Sequence, residues 1–133
     1  MTRVLCCGTF DVLHDGHIEF FKDIKSQGDE LIVMIVPDEV VCRNKGRAPA
    51  NKQSVRADNI GKIDIVNEVV VVRECFAKNP EFVKSLKPNV IALGYDQESP
   101  VIDNLRKELK GVKFYRSKEF AGGIHSRDLR GGD

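Results

Sequence analysis

Apolar positions along the chain follow two alternating rhythms. Residues 4–7 and 31–36 are unbroken apolar runs, the second nearly all β-branched, which is the pattern of strands covered on both faces in a parallel sheet. Between them Ile18, Phe20, Phe21 and Ile24 recur at helical spacing, with Lys22, Asp23 and Lys25 interleaved. That spacing predicts an amphipathic helix from about residue 16, ended by Gly28. The alternation continues with a helix over 52–60 carrying Val55, Arg56 and Ile60, and a strand over 68–72. A helix over 80–86 follows, with Phe82, Val83 and Leu86 on its inner face, and then a strand over 90–93. A helix over 101–109 and a short strand over 112–115 complete the order. Regular strand–helix alternation predicts an α/β fold with a five-stranded parallel sheet and right-handed crossovers. The chain leaves the second strand at Pro37-Asp38, and 38–51 reads as a basic loop. It holds Arg43, Lys45 and Arg47 around Gly46, with Pro49 closing it.

Composition narrows the partners more than the fold. With 133 residues, 41% hydrophobic and 31% charged, the chain reads as a single globular domain over 1–133, able to bury its own core. Lys plus Arg total 21 against 20 Asp plus Glu, a formal charge of +1. No global field therefore recruits nucleic acid or a membrane surface, and any anion site must be local. None of the four cysteines, Cys6, Cys7, Cys42 and Cys75, has zinc-site spacing. Cys6 and Cys7 lie in a strand expected to be buried, where a free thiol serves as a small hydrophobe. No signal-like segment or run of membrane-spanning length is present, so a reducing cytoplasm is the expected location.

The chemistry begins where the first strand meets the first helix, at GTFDVLHDGH, residues 8–17. Two histidines three residues apart at a helix start can share one face of its first turn. The N–H groups and positive dipole end of that helix favour phosphate. Ligands of parallel α/β sheets gather at the carboxyl ends of the strands. The loops expected there contain His14, His17, Lys45, Asp96, Ser126 and Arg130. The cations of 38–51 read either as a solvated loop or, after a phosphate-binding turn, as anion ligands. Asp11 either braces the opening turn through backbone hydrogen bonds or serves a metal. Asp15 adds unfavourable charge beside an anion unless it faces solvent.

The run GTFDVLHDGH resembles the HxGH signature of the cytidylyltransferase-like nucleotidyltransferase superfamily. Residues 124–130, IHSRDLR, resemble its second motif, although His125 and Arg127 stand where small hydroxyl residues are usual. Within the superfamily, GDELIVMIVPDE, the KGR loop and KPNVIALGYDQ are most similar to archaeal FAD synthetases, with glycerol-phosphate cytidylyltransferases next. The resemblance implies a Rossmann-like three-layer sandwich of the HxGH type. It also implies transfer of a nucleoside monophosphate from a nucleoside triphosphate to a phosphate-bearing acceptor, releasing pyrophosphate. The leading expectation is AMP transfer from ATP to FMN. A CTP-dependent enzyme acting on glycerol 3-phosphate or a similar phosphate is the nearest alternative, and a non-catalytic nucleotide-binding module is one of another class. Backbone N–H groups of Thr9 and Phe10, after Gly8, would face the triphosphate, and His14 and His17 would contact its phosphates and stabilise the transition state. Gly16 would permit close approach, Lys45 would hold the α-phosphate or acceptor, Asp96 would lie near the nucleoside, and Ser126 with Arg130 would bind the β- and γ-phosphates. A divalent cation, Mg²⁺ by expectation, would travel mainly with the nucleotide rather than in a protein metal site, and a homodimer is the family-level expectation.

Overall fold

The computed structural model describes residues 2–73, 80–94 and 100–118, with residues 44, 45, 100 and 101 described by their backbone alone. Its order is β1 (Arg3–Gly8), α1 (Asp15–Lys25), β2 (Glu30–Ile35), α2 (Asp38–Lys45), α3 (Gln53–Gly61), β3 (Glu68–Val71), α4 (Pro80–Ser85), β4 (Val90–Leu93), α5 (Pro100–Glu108) and β5 (Lys113–Arg116). All strand pairs are parallel. They form one sheet in the order β3-β2-β1-β4-β5, so the direction of winding reverses beside β1.

Alternate residues of the central strands feed two separate cores, which makes the sheet the middle of three layers. Leu5, Ile32, Met34, Ile91 and Leu93 face Val40 and Val41 of α2, Val83 of α4 and Ile102 and Leu105 of α5. Val4, Cys6, Leu31, Val33, Ile35 and Val90 face Phe21 and Ile24 of α1 and Ile60 of α3. This is the three-layer α/β sandwich that the resemblance implies, built on the parallel sheet that the alternation predicts. Cys6 and Cys7 are buried free thiols, and burial pushes the Cys6 thiol far above its ordinary value, so it packs as a hydrophobe and does not react. Among the described residues no helix is long and apolar enough to cross a membrane.

Residues 38–51 depart from the expected loop, because their first half is the helix α2. Pro37 stands at its N-cap, and Gly46 closes it in the left-handed conformation (φ 75°), its N–H donating to the Cys42 carbonyl at 2.8 Å. Val40 and Val41 are the inward positions that make the helix worth forming. In α3 the expected apolar face is also rearranged. Val55 is 42% exposed, whereas Arg56, one residue on, is fully buried.

The end of β5 is tied to α1. The Tyr115 hydroxyl donates to Asp23 Oδ1 at 2.7 Å, and the Lys118 N–H donates to Asp23 Oδ2 at 3.0 Å. The hydrogen bond to Asp23, then burial, then the Asp23 charge raise the Tyr115 hydroxyl above its ordinary value. Tyr115→Phe is expected to lower stability by about 1 kcal/mol at neutral pH. Since the folded value is the raised one, the contribution is complete below the unfolded tyrosine value of about 10 and is lost as pH rises through the folded value. Denaturation of both proteins at pH 7 and in strong alkali checks this; a difference that does not shrink in alkali would assign the loss to packing alone.

Candidate active site

β1 delivers Gly8 to the carboxyl edge of the sheet beside the change in strand order, where a crevice opens in folds of this type. Gly8 has no room for a side chain, since a Cβ there would lie 2.9 Å from the Phe10 ring. Phe10 itself has φ 50°, a conformation that a bulky residue keeps only when its surroundings impose it. Its buried ring lies tilted against Phe21, with centroids 5.2 Å apart, and edge-on to His17 at 5.5 Å. The left-handed turn at Phe10 thus places a rigid hydrophobic support behind one histidine.

The two histidines do share one face, as their spacing predicts. Their rings stack with centroids 3.9 Å apart and 29° between planes. His14 is the N-cap of α1, in extended conformation, and its Nδ1 accepts the Gly16 N–H at 3.0 Å. Its carbonyl accepts the His17 N–H at 3.0 Å. With Nδ1 accepting, the neutral His14 ring carries its proton on Nε2, which makes that atom a hydrogen-bond donor. Asp15 is exposed in the first turn of α1, where a carboxylate suits the helix dipole and is screened by water.

Asp11 is 1% exposed, and both its oxygens brace the turn. Oδ2 accepts the Ala50 N–H and Oδ1 the Asn51 N–H, each at 2.7 Å, while Asn51 Nδ2 donates to the Asp11 carbonyl at 2.6 Å. The bracing alternative is therefore the one realised. Arg56 extends this junction. Its Nε donates to the Asn51 carbonyl at 3.0 Å, Nη1 to the Thr9 and Val36 carbonyls at 2.9 Å each, and Nη2 to Asp38 Oδ1 at 2.8 Å. The turn after β1, the exit of β2, the start of α2 and the segment before α3 are thereby fastened together.

Arg56, Asn51 and Asp38 carry no site role in the sequence reading. A signal existed, because Arg56 lies four residues before Ile60 and so falls in phase with the inward stripe of α3, where a charge requires partners. Arg43 and Arg47 are exposed on either side of Gly46. The side chain of Lys45, the last residue of α2, and all of Asp96, Ser126 and Arg130 lie outside the described residues. Gly94, just past β4, is anchored, since Arg116 Nη1 donates to its carbonyl at 3.1 Å. Among the described residues no group of three or more His, Cys, Asp or Glu is arranged to hold a metal ion.

The paired imidazoles stand at a helix start beside the switch point of a parallel sheet, where the resemblance to nucleotidyltransferases expects them. The chain belongs to the cytidylyltransferase-like family, whose model matches residues 5–126. It is 44% identical over 109 residues to the FAD synthase of Thermococcus sibiricus, covering 81% of this chain and 72% of that protein. It is 42% identical over 110 residues to the FAD synthase of Pyrococcus horikoshii, covering 83% and 73% respectively. The FAD synthase of Thermoplasma volcanium is 33% identical over 129 residues, covering 95% of this chain and 89% of that protein. Among solved structures, the lipopolysaccharide core biosynthesis protein of Thermoplasma volcanium superposes with a TM-score of 0.78 at 32% identity, covering 90% of this chain and 98% of that one.

Proposed function

We propose that the protein is an FMN adenylyltransferase, which joins the AMP moiety of ATP to the phosphate of FMN and yields FAD and pyrophosphate. The observation that carries this reading is the run of FAD synthase relatives at 33–48% identity, aligned with a site built around two stacked imidazoles. A phosphate oxygen of FMN attacks the α-phosphorus of ATP in line, and the bond from that phosphorus to the bridging β-oxygen breaks. FMN's phosphate is already ionised near neutral pH, so the enzyme needs no activated side-chain nucleophile. Its tasks are positioning and neutralisation of charge on the transferring group and the leaving pyrophosphate.

In this reading His14 Nε2–H and His17 donate to the phosphate oxygens on which charge builds. The N–H groups of Thr9 and Phe10 and the start of α1 hold the triphosphate. Lys45 neutralises the α-phosphate or FMN's phosphate, Asp96 contacts the nucleoside, and Ser126 and Arg130 bind the β- and γ-phosphates. A divalent cation bound to the triphosphate would supply further charge neutralisation, and Asp11 braces the turn through backbone N–H groups. Incubation with each nucleoside triphosphate and FMN, followed by chromatography and pyrophosphate detection, tests the proposal. FAD with ATP is the expected product. Turnover with CTP and a small phosphate in place of FMN would move the protein to the cytidylyltransferases, and nucleotide binding without turnover to any acceptor would make it a binding module.

A further inference from the structure

Arg56 is fully buried, so its guanidinium cannot touch a nucleotide in the crevice. Three of its acceptors are backbone carbonyls, those of Thr9, Val36 and Asn51. The first of these has a geometric consequence. The Thr9–Phe10 peptide is trans, so the Thr9 carbonyl and the Phe10 N–H lie in one plane and point in opposite directions. A guanidinium 2.9 Å from the Thr9 oxygen on the interior side turns the Phe10 N–H away from the interior. The left-handed φ of Phe10 and the edge contact of its ring with His17 hold the other side of that plane.

We infer that Arg56 is a positioning residue that sets the Thr9–Phe10 peptide plane, so that the Phe10 N–H is presented to a phosphate oxygen of the bound nucleotide. The inference rests on the proposal that the turn after β1 binds a triphosphate. Arginine suits the task because its charge is permanent and its planar fork of donors reaches several carbonyls at once. Lysine has no such fork and would leave carbonyls unserved. The Asp38 carboxylate, 2.8 Å away, balances the buried cation but makes no contact with Thr9 among the bonds described. Asp38 therefore serves as a control that perturbs the same junction without releasing the peptide plane.

The test follows the Phe10 amide in ¹⁵N–¹H spectra of the wild type, Arg56→Lys and Asp38→Asn, titrated with Mg·ATP and Mg·CTP in the absence of an acceptor. FAD formation is measured on the same proteins. In the wild type the Phe10 amide proton moves downfield on saturation with the nucleotide that binds. Arg56→Lys loses that movement and raises KM for the nucleotide about tenfold or more, the scale of one charge-assisted hydrogen bond. Asp38→Asn keeps the movement even if its melting temperature falls. A wild-type Phe10 amide that stays still while the His14 and His17 signals move overturns the inference, and this arm requires no variant to fold. Arg56→Lys that loses stability but keeps the wild-type amide response also overturns it, leaving a purely structural tether. Failure of the FMN reading is distinguishable: the Phe10 response to nucleotide persists while no FAD forms.

Discussion

Replacing His17 with alanine is expected to lower kcat for FAD formation by about two to three orders of magnitude, the loss seen when one preorganised donor to a developing oxyanion is removed. Nucleotide affinity should change far less. His17 is buried between the Phe10 ring and the His14 ring, so its imidazole is fixed before substrate arrives. A donor fixed in advance acts most strongly where charge is greatest, in the transition state. His17→Asn, which keeps a donor of shorter reach, should recover part of the rate. Saturation kinetics with ATP and FMN, paired with nucleotide binding by calorimetry, separates the effects. A kcat equal to that of the wild type would remove His17 from the chemistry, and an unchanged kcat with weakened affinity would make it an ordinary binding group.

Asp11→Ala should be the most damaging substitution for the fold among the residues of the site, costing about 2–5 kcal/mol. The magnitude follows from removing a 1% exposed carboxylate that satisfies two N–H groups, those of Ala50 and Asn51. Asp11→Asn should fall between, because its amide offers one oxygen to two donors and turns an NH₂ toward the other. Denaturant unfolding of the three proteins measures the differences. Asp11→Ala within about 0.5 kcal/mol of wild type, the range of an ordinary surface change, would show that the junction is dispensable for stability.

Much of this fold was legible because burial on both faces leaves a strong mark. The run at 31–36 reads as a strand covered on both faces and 90–93 as a further strand, and both are strands buried within the sheet. The helical stripe of Phe21 and Ile24 was equally plain, and the HxGH spacing announced two imidazoles on one face. The helix α2 was hidden by its brevity. Among its described side chains only Val40 and Val41 are buried, and Asp38, Glu39, Cys42 and Arg43 surround them, so no full turn of amphipathic pattern accumulates; Gly46 as a C-cap was the one local clue. The Asp11–Asn51–Arg56 junction was illegible for a different reason. Its members are 40 and 45 positions apart along the chain from Asp11, and a buried arginine is recognised only once the carbonyls that surround it are in place. Local pattern reports burial well, but it does not report which distant backbone atoms a buried charge will meet.

His14 stands at the N-cap of α1, a position where serine, threonine, aspartate and asparagine serve a helix better than histidine does. The imbalance assigns position 14 a cost in stability that the chain tolerates. On the role proposed for His14, a homologue freed from catalysis would drift toward serine or aspartate here and gain a firmer helix, while an active enzyme would be confined to the poorer cap. On the same proposal, directed evolution for thermostability alone should find position 14 among its first gains and lose activity with it. Any stabilisation campaign on this scaffold has to select for turnover at the same time.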